Sequence, residues 1–118
     1  HYMDEAERCG RVGYIYLSKL IAIGTVEELQ QMPGANPPGT SRVEIQVSNV
    51  SAVLATVRSF PFVREATIFG RSIHALVETE HLEELQRALP QARVERIVPS
   101  LEDVFVTLTY RTMEAGAR

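Results

Sequence analysis

Cysteine is nearly absent: Cys9 is the only one in 118 residues. That excludes a disulfide framework and makes a reducing compartment the simple reading. There is no G-x-x-x-x-G-K-[ST] loop, so no stretch is built to cradle nucleotide phosphates. Long apolar runs are missing too. The most apolar segment, Val12 to Ile23, is interrupted by Ser18 and Lys19, and a bilayer span needs about 20 apolar residues. The opening residues are acidic and lack the apolar core of a signal peptide. No basic stripe is visible. Lys and Arg number 12 against 15 Asp and Glu, a net charge of −3, so no nucleic-acid partner is expected.

What is present is an ordinary globular composition, 45% hydrophobic and 23% charged. The length fits one domain, or one domain plus part of another. Such a chain buries roughly two thirds of its unfolded surface and needs no staples. The charge is placed rather than spread. Acids and bases balance from His1 to Ile23 and again from Arg42 to Pro99; the excess comes from Glu27, Glu28, Glu102, Asp103 and Glu114. The first four fall in expected first turns of helices, where a carboxylate favours the dipole by about 0.3–1 kcal/mol. The acidity therefore calls for no cationic substrate.

Met3 to Cys9 predicts a short acidic helix, in which Ala6 and Cys9 can share a face. Arg11 to Leu17 and Leu20 to Ile23, rich in Val, Ile and Tyr, predict a hairpin turning at Ser18-Lys19. Both strands are apolar on both faces, so each face needs cover. Gly24 ends the hairpin. Thr25-Val26-Glu27-Glu28 is a capping box, and its helix runs to about Gln31. Met32 to Ser41 concentrates proline and glycine and reads as a linker. Arg42 to Val47 alternates, with Val43, Ile45 and Val47 on the buried face. Asn49 or Ser48 caps a helix with the stripe Val50, Val53, Leu54, Val57 and Phe60. Val63 to Phe69 and Ser72 to Thr79 pair across a Gly70-Arg71 turn. Leu82, Leu85 and Leu89 mark a helix ended by Pro90. Ala92 to Val98 is a last strand. Ser100-x-x-Asp103 caps a final helix striped with Leu101, Val104, Phe105 and Leu108.

The expectation is an α+β chain: a helix–hairpin segment over 1–31, a linker over 32–41, and a ferredoxin-like βαββαβ sandwich with an extra C-terminal helix over 42–110. Residues 111–118 are expected to fray. The extra helix can cover the remaining sheet face or dock on the first segment.

The run HYMDEAERCGRVGYIYLSKLIAIGTVEEL, His1 to Leu29, resembles the end of the nucleotide-binding domain of ABC transporter ATPases. In that family a switch-loop histidine precedes an aromatic, a "DEAE" helix, a hairpin, a glycine and a "T-x-E-E-L" helix. The closing Pro99-Ser100-Leu101-Glu102-Asp103-Val104-Phe105 resembles the ending of ATPases that serve export-type permeases and carry an accessory C-terminal domain. Two positions depart from the pattern. The turn usually carries Gly-Lys or Gly-Arg where this chain has Ser18-Lys19, which calls for a different turn geometry, and Gly10 replaces a common acid. The resemblance implies that the chain is a piece of a longer protein. That parent would hydrolyse ATP with Mg²⁺, as a dimer, on the cytoplasmic face of the membrane and drive a permease. It also implies that His1 is the switch-loop histidine contacting the γ-phosphate, where positioning and charge stabilisation carry phosphoryl transfer. This chain alone, without the phosphate-binding loop, is expected to hold neither ATP nor metal. Asp4-Glu5 is no Mg²⁺-binding pair, since no apolar strand leads into it.

The remaining candidates have plain structural readings. His74 and His81 are expected at the surface, and with Cys9 they make no metal-ligand spacing. Cys9 is read as a small buried apolar residue rather than a nucleophile. Ser18, Ser72 and Ser100 fit turns and caps. Tyr14 and Tyr16 are explained by docking on the ATPase domain. Competing functions are a stand-alone ferredoxin-like ligand sensor or protein-interaction module, whose glycine-rich turn is missing at Ser48-Asn49-Val50, and an RNA-binding sheet, whose exposed aromatics are missing from Arg42 to Val47. The hairpin Arg11 to Ile23, with open edges and apolar faces, predicts pairing between copies of the chain.

Overall fold

A computed structural model describes residues 4–116, with side chains for 6–113. Two compact units emerge, one formed by 1–37 with 99–118 and the other by 38–98.

The first unit opens with helix α1 (Asp4–Glu7) and the antiparallel strands β1 (Val12–Tyr16) and β2 (Lys19–Gly24). The pairing shifts between Tyr14, opposite Ala22, and Ile15, opposite Leu20, so Ile21 is an extra residue in β2. Helix α2 (Val26–Gln31) starts on the expected capping box: the Glu28 N–H donates to the Thr25 hydroxyl at 3.1 Å and the Thr25 N–H to the Glu28 carboxylate at 2.8 Å. At Gly24, just before it, a Cβ would come within 3.2 Å of Glu28 Oε1, a tight contact with the capping carboxylate.

The stretch read as linker is not loose throughout. Residues 33–37 fold back on the end of α2. Asn36 Nδ2 donates to the carbonyls of Gln30 and Met32, at 2.7 and 3.2 Å, and so satisfies acceptors the helix leaves open. Ala35 is fully buried. The closing helix α5 runs from Leu101 to Gly116, past Tyr110, so the fraying expected over 111–118 is not seen up to residue 116. It docks on this first segment, one of the two placements its stripe allows. Leu101, Val104 and Leu108 form one core with Leu29 and Ala35, flanked by Val12, Tyr14, Ile21, Ala22, Met32 and Phe105. The Ser100–Asp103 box is formed, with Asp103 N–H on the Ser100 hydroxyl at 3.1 Å and Ser100 N–H on Asp103 Oδ2 at 2.9 Å.

The second unit contains β3 (Thr40–Gln46), α3 (Val50–Ser59), β4 (Val63–Phe69), β5 (Ser72–Glu78), a 3₁₀ turn (Thr79–His81), α4 (Leu82–Ala88) and β6 (Arg93–Arg96). The sheet order is β4-β5-β3-β6, with every pairing antiparallel. Val43, Ile45, Ile73, Ala75 and Val77 occupy one sheet face. Val57, Leu85 and Leu89 close over it, with Val50, Val53, Leu54 and Leu82 alongside. This is the buried side of the period-2 strands meeting the apolar stripes of two helices. Asn49, of the two cap candidates, accepts from the Ala52 N–H at 3.4 Å.

The other sheet face departs from the expected polar exterior. Arg42 is 5% exposed and pairs with Glu65 at 3.4 Å. A guanidinium can be buried in this way when a carboxylate answers it.

Candidate functional site

The run that carries the family resemblance folds into one local assembly. Tyr14 on β1 stacks on Phe105 of α5, with centroids 4.4 Å apart and planes within 9°. Its hydroxyl meets the Thr109 hydroxyl. Thr109 already donates to the Phe105 carbonyl at 2.7 Å; a hydroxyl carries one proton, so Tyr14 is the donor of the other bond. Tyr14 is thus explained within the chain, a correction to the reading that it awaited an external domain.

The hairpin has one half-buried face and one open face. Ile15, Leu17, Leu20 and Ile23 are all at least 58% exposed. The turn is Leu17-Ser18, one residue earlier than Ser18-Lys19. Both residues are left-handed, with φ of +51° and +64°. Those are the signs a tight two-residue hairpin turn of the favoured twist requires, and glycine supplies them most easily. Ser18 therefore adopts the backbone that glycine favours.

His1, the residue given the switch-loop role, lies outside the described residues. Cys9 is exposed, not buried, because α1 ends at Glu7 and turns through the bond from Cys9 N–H to the Ala6 carbonyl at 3.1 Å. Ser18 is in the hairpin turn and Ser100 caps α5. Ser72 starts β5 opposite Gln46 and Phe69. The Ser100 hydroxyl donates to Asp103 Oδ2 at 3.0 Å while accepting from the Asp103 N–H, a capping arrangement that explains it without catalysis.

One of the two histidines differs from expectation. His74 is 6% exposed rather than at the surface. On β5 it faces Glu44 of β3, with Nε2 to Oε2 at 3.0 Å, and stacks on Phe69 at 4.3 Å. The register explains it: Glu44 and Thr67 are its direct neighbours across the sheet. His81 stacks on Phe62 at 5.0 Å, and Phe62 in turn on Phe60 at 5.1 Å. Its Nδ1 is 3.2 Å from Glu84 Oε1, while Nε2 lies 3.9 Å from Glu78 Oε1 and 3.7 Å from Glu80 Oε1. This convergence of Glu78, Glu80, His81 and Glu84 was missed in the sequence, where ligand spacing was sought between the histidines and Cys9. The signal is local: acids at −3, −1 and +3 from one histidine, across a 3₁₀ turn running into a helix.

In the first unit, Glu28 of α2 has its acidity set by its cap partner. The Thr25 N–H, then the Thr25 hydroxyl, hold its carboxyl below its usual value of 4.5. No helix among the described residues is long and apolar enough to cross a membrane.

No family model matches the chain, and no solved structure does. Curated proteins do match. The chain is 31% identical over 124 aligned residues to the linearmycin resistance ATP-binding protein LnrL of Bacillus subtilis (strain 168), an alignment covering 96% of the chain and 39% of that protein. It is 57% identical over 30 residues to the probable multidrug ABC transporter ATP-binding protein YbhF of Escherichia coli (strain K12) and of Shigella flexneri, covering 25% of the chain and 5% of each relative. The chain thus spans well under half the length of these relatives.

Proposed function

The chain is related to the ABC transporter ATP-binding proteins, and from that premise we propose that it is the C-terminal part of such a subunit. In this reading the first unit is the end of the ATPase domain, and residues 38–98 are an accessory module that regulates or stabilises the ATPase dimer through protein contacts. The parent hydrolyses ATP with Mg²⁺ at the cytoplasmic face of the membrane and drives export through a permease. Its phosphate-binding loop belongs to sequence ahead of His1, and His1 serves the γ-phosphate. The observation that carries the proposal is the alignment of 96% of the chain with an ATP-binding protein.

Two further observations support it. The Thr25–Glu28 box and the Gly24 before it are matched to the family's ending, and both have local physical reasons here. The strand order β4-β5-β3-β6 with two helices on one face is compatible with a split βαβ, ferredoxin-like module. The open hairpin face, Ile15, Leu17, Leu20 and Ile23, is where the rest of the ATPase domain docks in the parent. In the isolated chain it pairs with a second copy.

The test is a comparison of ATP hydrolysis by the full-length gene product with and without residues 38–98. A changed rate or a changed dimer constant is expected. Identical values for both would remove the accessory role. Calorimetry of ATP into the 118-residue chain is expected to show no binding, and micromolar affinity there would contradict the division of labour.

A further inference from the structure

We propose that Glu78, Glu80 and His81 form a binding site for a divalent first-row transition ion, zinc foremost, with Glu84 and Arg64 orienting the ligands. One ligand atom from each of the three lies within 4.8 Å of the others. Around a four-coordinate zinc with bonds near 2.0–2.2 Å, ligand atoms sit about 3.4 Å apart. The observed separations of 3.9 and 3.7 Å from Nε2 to the two carboxylates are close to that spacing.

The supporting groups make this more than a set of neighbouring acids. Glu84 accepts at Nδ1 of His81, 3.2 Å away. With Nδ1 facing Glu84, Nε2 is the ring nitrogen that faces Glu78 and Glu80, the arrangement in which a second carboxylate orients a metal-bound imidazole. Phe62 stacks under the ring and fixes its plane. Glu78 divides its oxygens: Oε2 faces Arg64 Nε at 3.8 Å, and Oε1 faces His81.

The turn that bears the ligands is pinned in four places. Glu78 N–H donates to the Phe62 carbonyl and Thr79 N–H to the Gly39 carbonyl, both at 2.9 Å. The Thr79 hydroxyl bonds the Ser41 hydroxyl at 2.7 Å, and the Leu82 N–H caps the turn on the Thr79 carbonyl. Glu78 and Glu80 also line a hollow shared with Gly39, Arg64 and Thr79.

The donor set selects the ion. One imidazole nitrogen with two carboxylates suits zinc and its first-row neighbours, while calcium and magnesium prefer oxygen donors alone. Two carboxylates and a neutral imidazole also balance the charge of a divalent ion. The site lies within residues 38–98 and does not depend on the transporter reading.

The experiment is calorimetric titration of the chelator-treated 118-residue chain with zinc chloride, and separately with magnesium chloride. Long-range ¹H–¹⁵N spectra of the imidazoles are recorded in parallel. One zinc is expected to bind with a Kd tighter than about 100 µM, to shift Nε2 of His81 and to leave His74 unmoved. Magnesium is expected not to compete. His81→Ala and Glu80→Gln are each expected to weaken zinc at least about tenfold, and Glu84→Gln about tenfold through the ring's orientation. Glu80 is 80% exposed, so Glu80→Gln tests the site without touching the fold. Zinc affinity weaker than that threshold, or affinity unchanged in Glu80→Gln and His81→Ala, would overturn the proposal.

Discussion

At the level of single residues, Ser18 holds a conformation that costs it energy. Its φ of +64° is the left-handed region, about 1–2 kcal/mol unfavourable for a residue with a Cβ. Glycine removes that penalty but loses about 0.5–1 kcal/mol more chain entropy on folding. Ser18→Gly is therefore expected to stabilise the first unit by about 0.5–1 kcal/mol, read from urea unfolding; no gain would mean the turn relaxes out of this geometry. Thr25 is the reverse case, a residue whose side chain is needed. Thr25→Ala is expected to cost about 1 kcal/mol at neutral pH. The reciprocal partner adds a pH dependence. Glu28 is held below 4.5 by Thr25 in the folded chain. A carboxyl whose folded value is depressed stabilises above its unfolded value and stops doing so as pH falls through the folded one. The loss in Glu28→Ala should thus be present at pH 7 and shrink steadily below about pH 4.5. Melts of both proteins across that range decide it, and a loss that grows on acidification would refute the sign.

Among the elements, those with a strong period were legible and those set by partners were not. The α3 stripe, Val50, Val53, Leu54, Val57 and Phe60, and the alternation of β3 marked the buried faces of the second unit because one side of each element simply meets the core. Arg42 sits on the polar side of the same alternation yet is buried, since Glu65, distant in sequence, lies across the sheet to meet it. His74 was misjudged for the same reason: its neighbours come from β3 and β4. The hairpin turns at Leu17-Ser18, and the register shift at Ile21 beyond it is announced by no local pattern. In α5 the stripe was visible, but its docking partner was not. Phe105 now gives that partner a measurable weight. It is half-buried and stacked on Tyr14, so Phe105→Ala is expected to cost about 2–3 kcal/mol, less than the upper figure for a fully enclosed ring. Phe105→Leu keeps most of the apolar area and gives up only the ring pairing, about 0.5–1.5 kcal/mol. Equal losses in the two variants, measured by thermal unfolding, would show that the stack itself contributes nothing.

For the whole molecule, the division into units was partly hidden by sequence order. The chain changes units between Pro37 and Pro38, within the proline-rich stretch at 32–41. What order conceals is that the closing helix returns to the first unit, making 38–98 an insertion between its two parts. The path of the second unit suits an insertion. β3 near its start and β6 at its end run side by side, with Val43 opposite Arg96 and the Ile97 N–H on the Arg42 carbonyl at 2.9 Å. The chain therefore enters and leaves at one place. Its core, from Val43 to Val94, is closed by residues of the insertion alone. A module with adjacent ends and its own core is expected to fold independently, although one of this size buries only about 60% of its unfolded surface and is marginal. Residues 38–98 expressed alone should then give a dispersed ¹H–¹⁵N spectrum and a single cooperative melt, with the His74 ring still shifted by its stack on Phe69. A collapsed spectrum without that ring shift would mean that the insertion draws its order from the rest of the protein, and an accessory module of that kind could not act as a separable regulator.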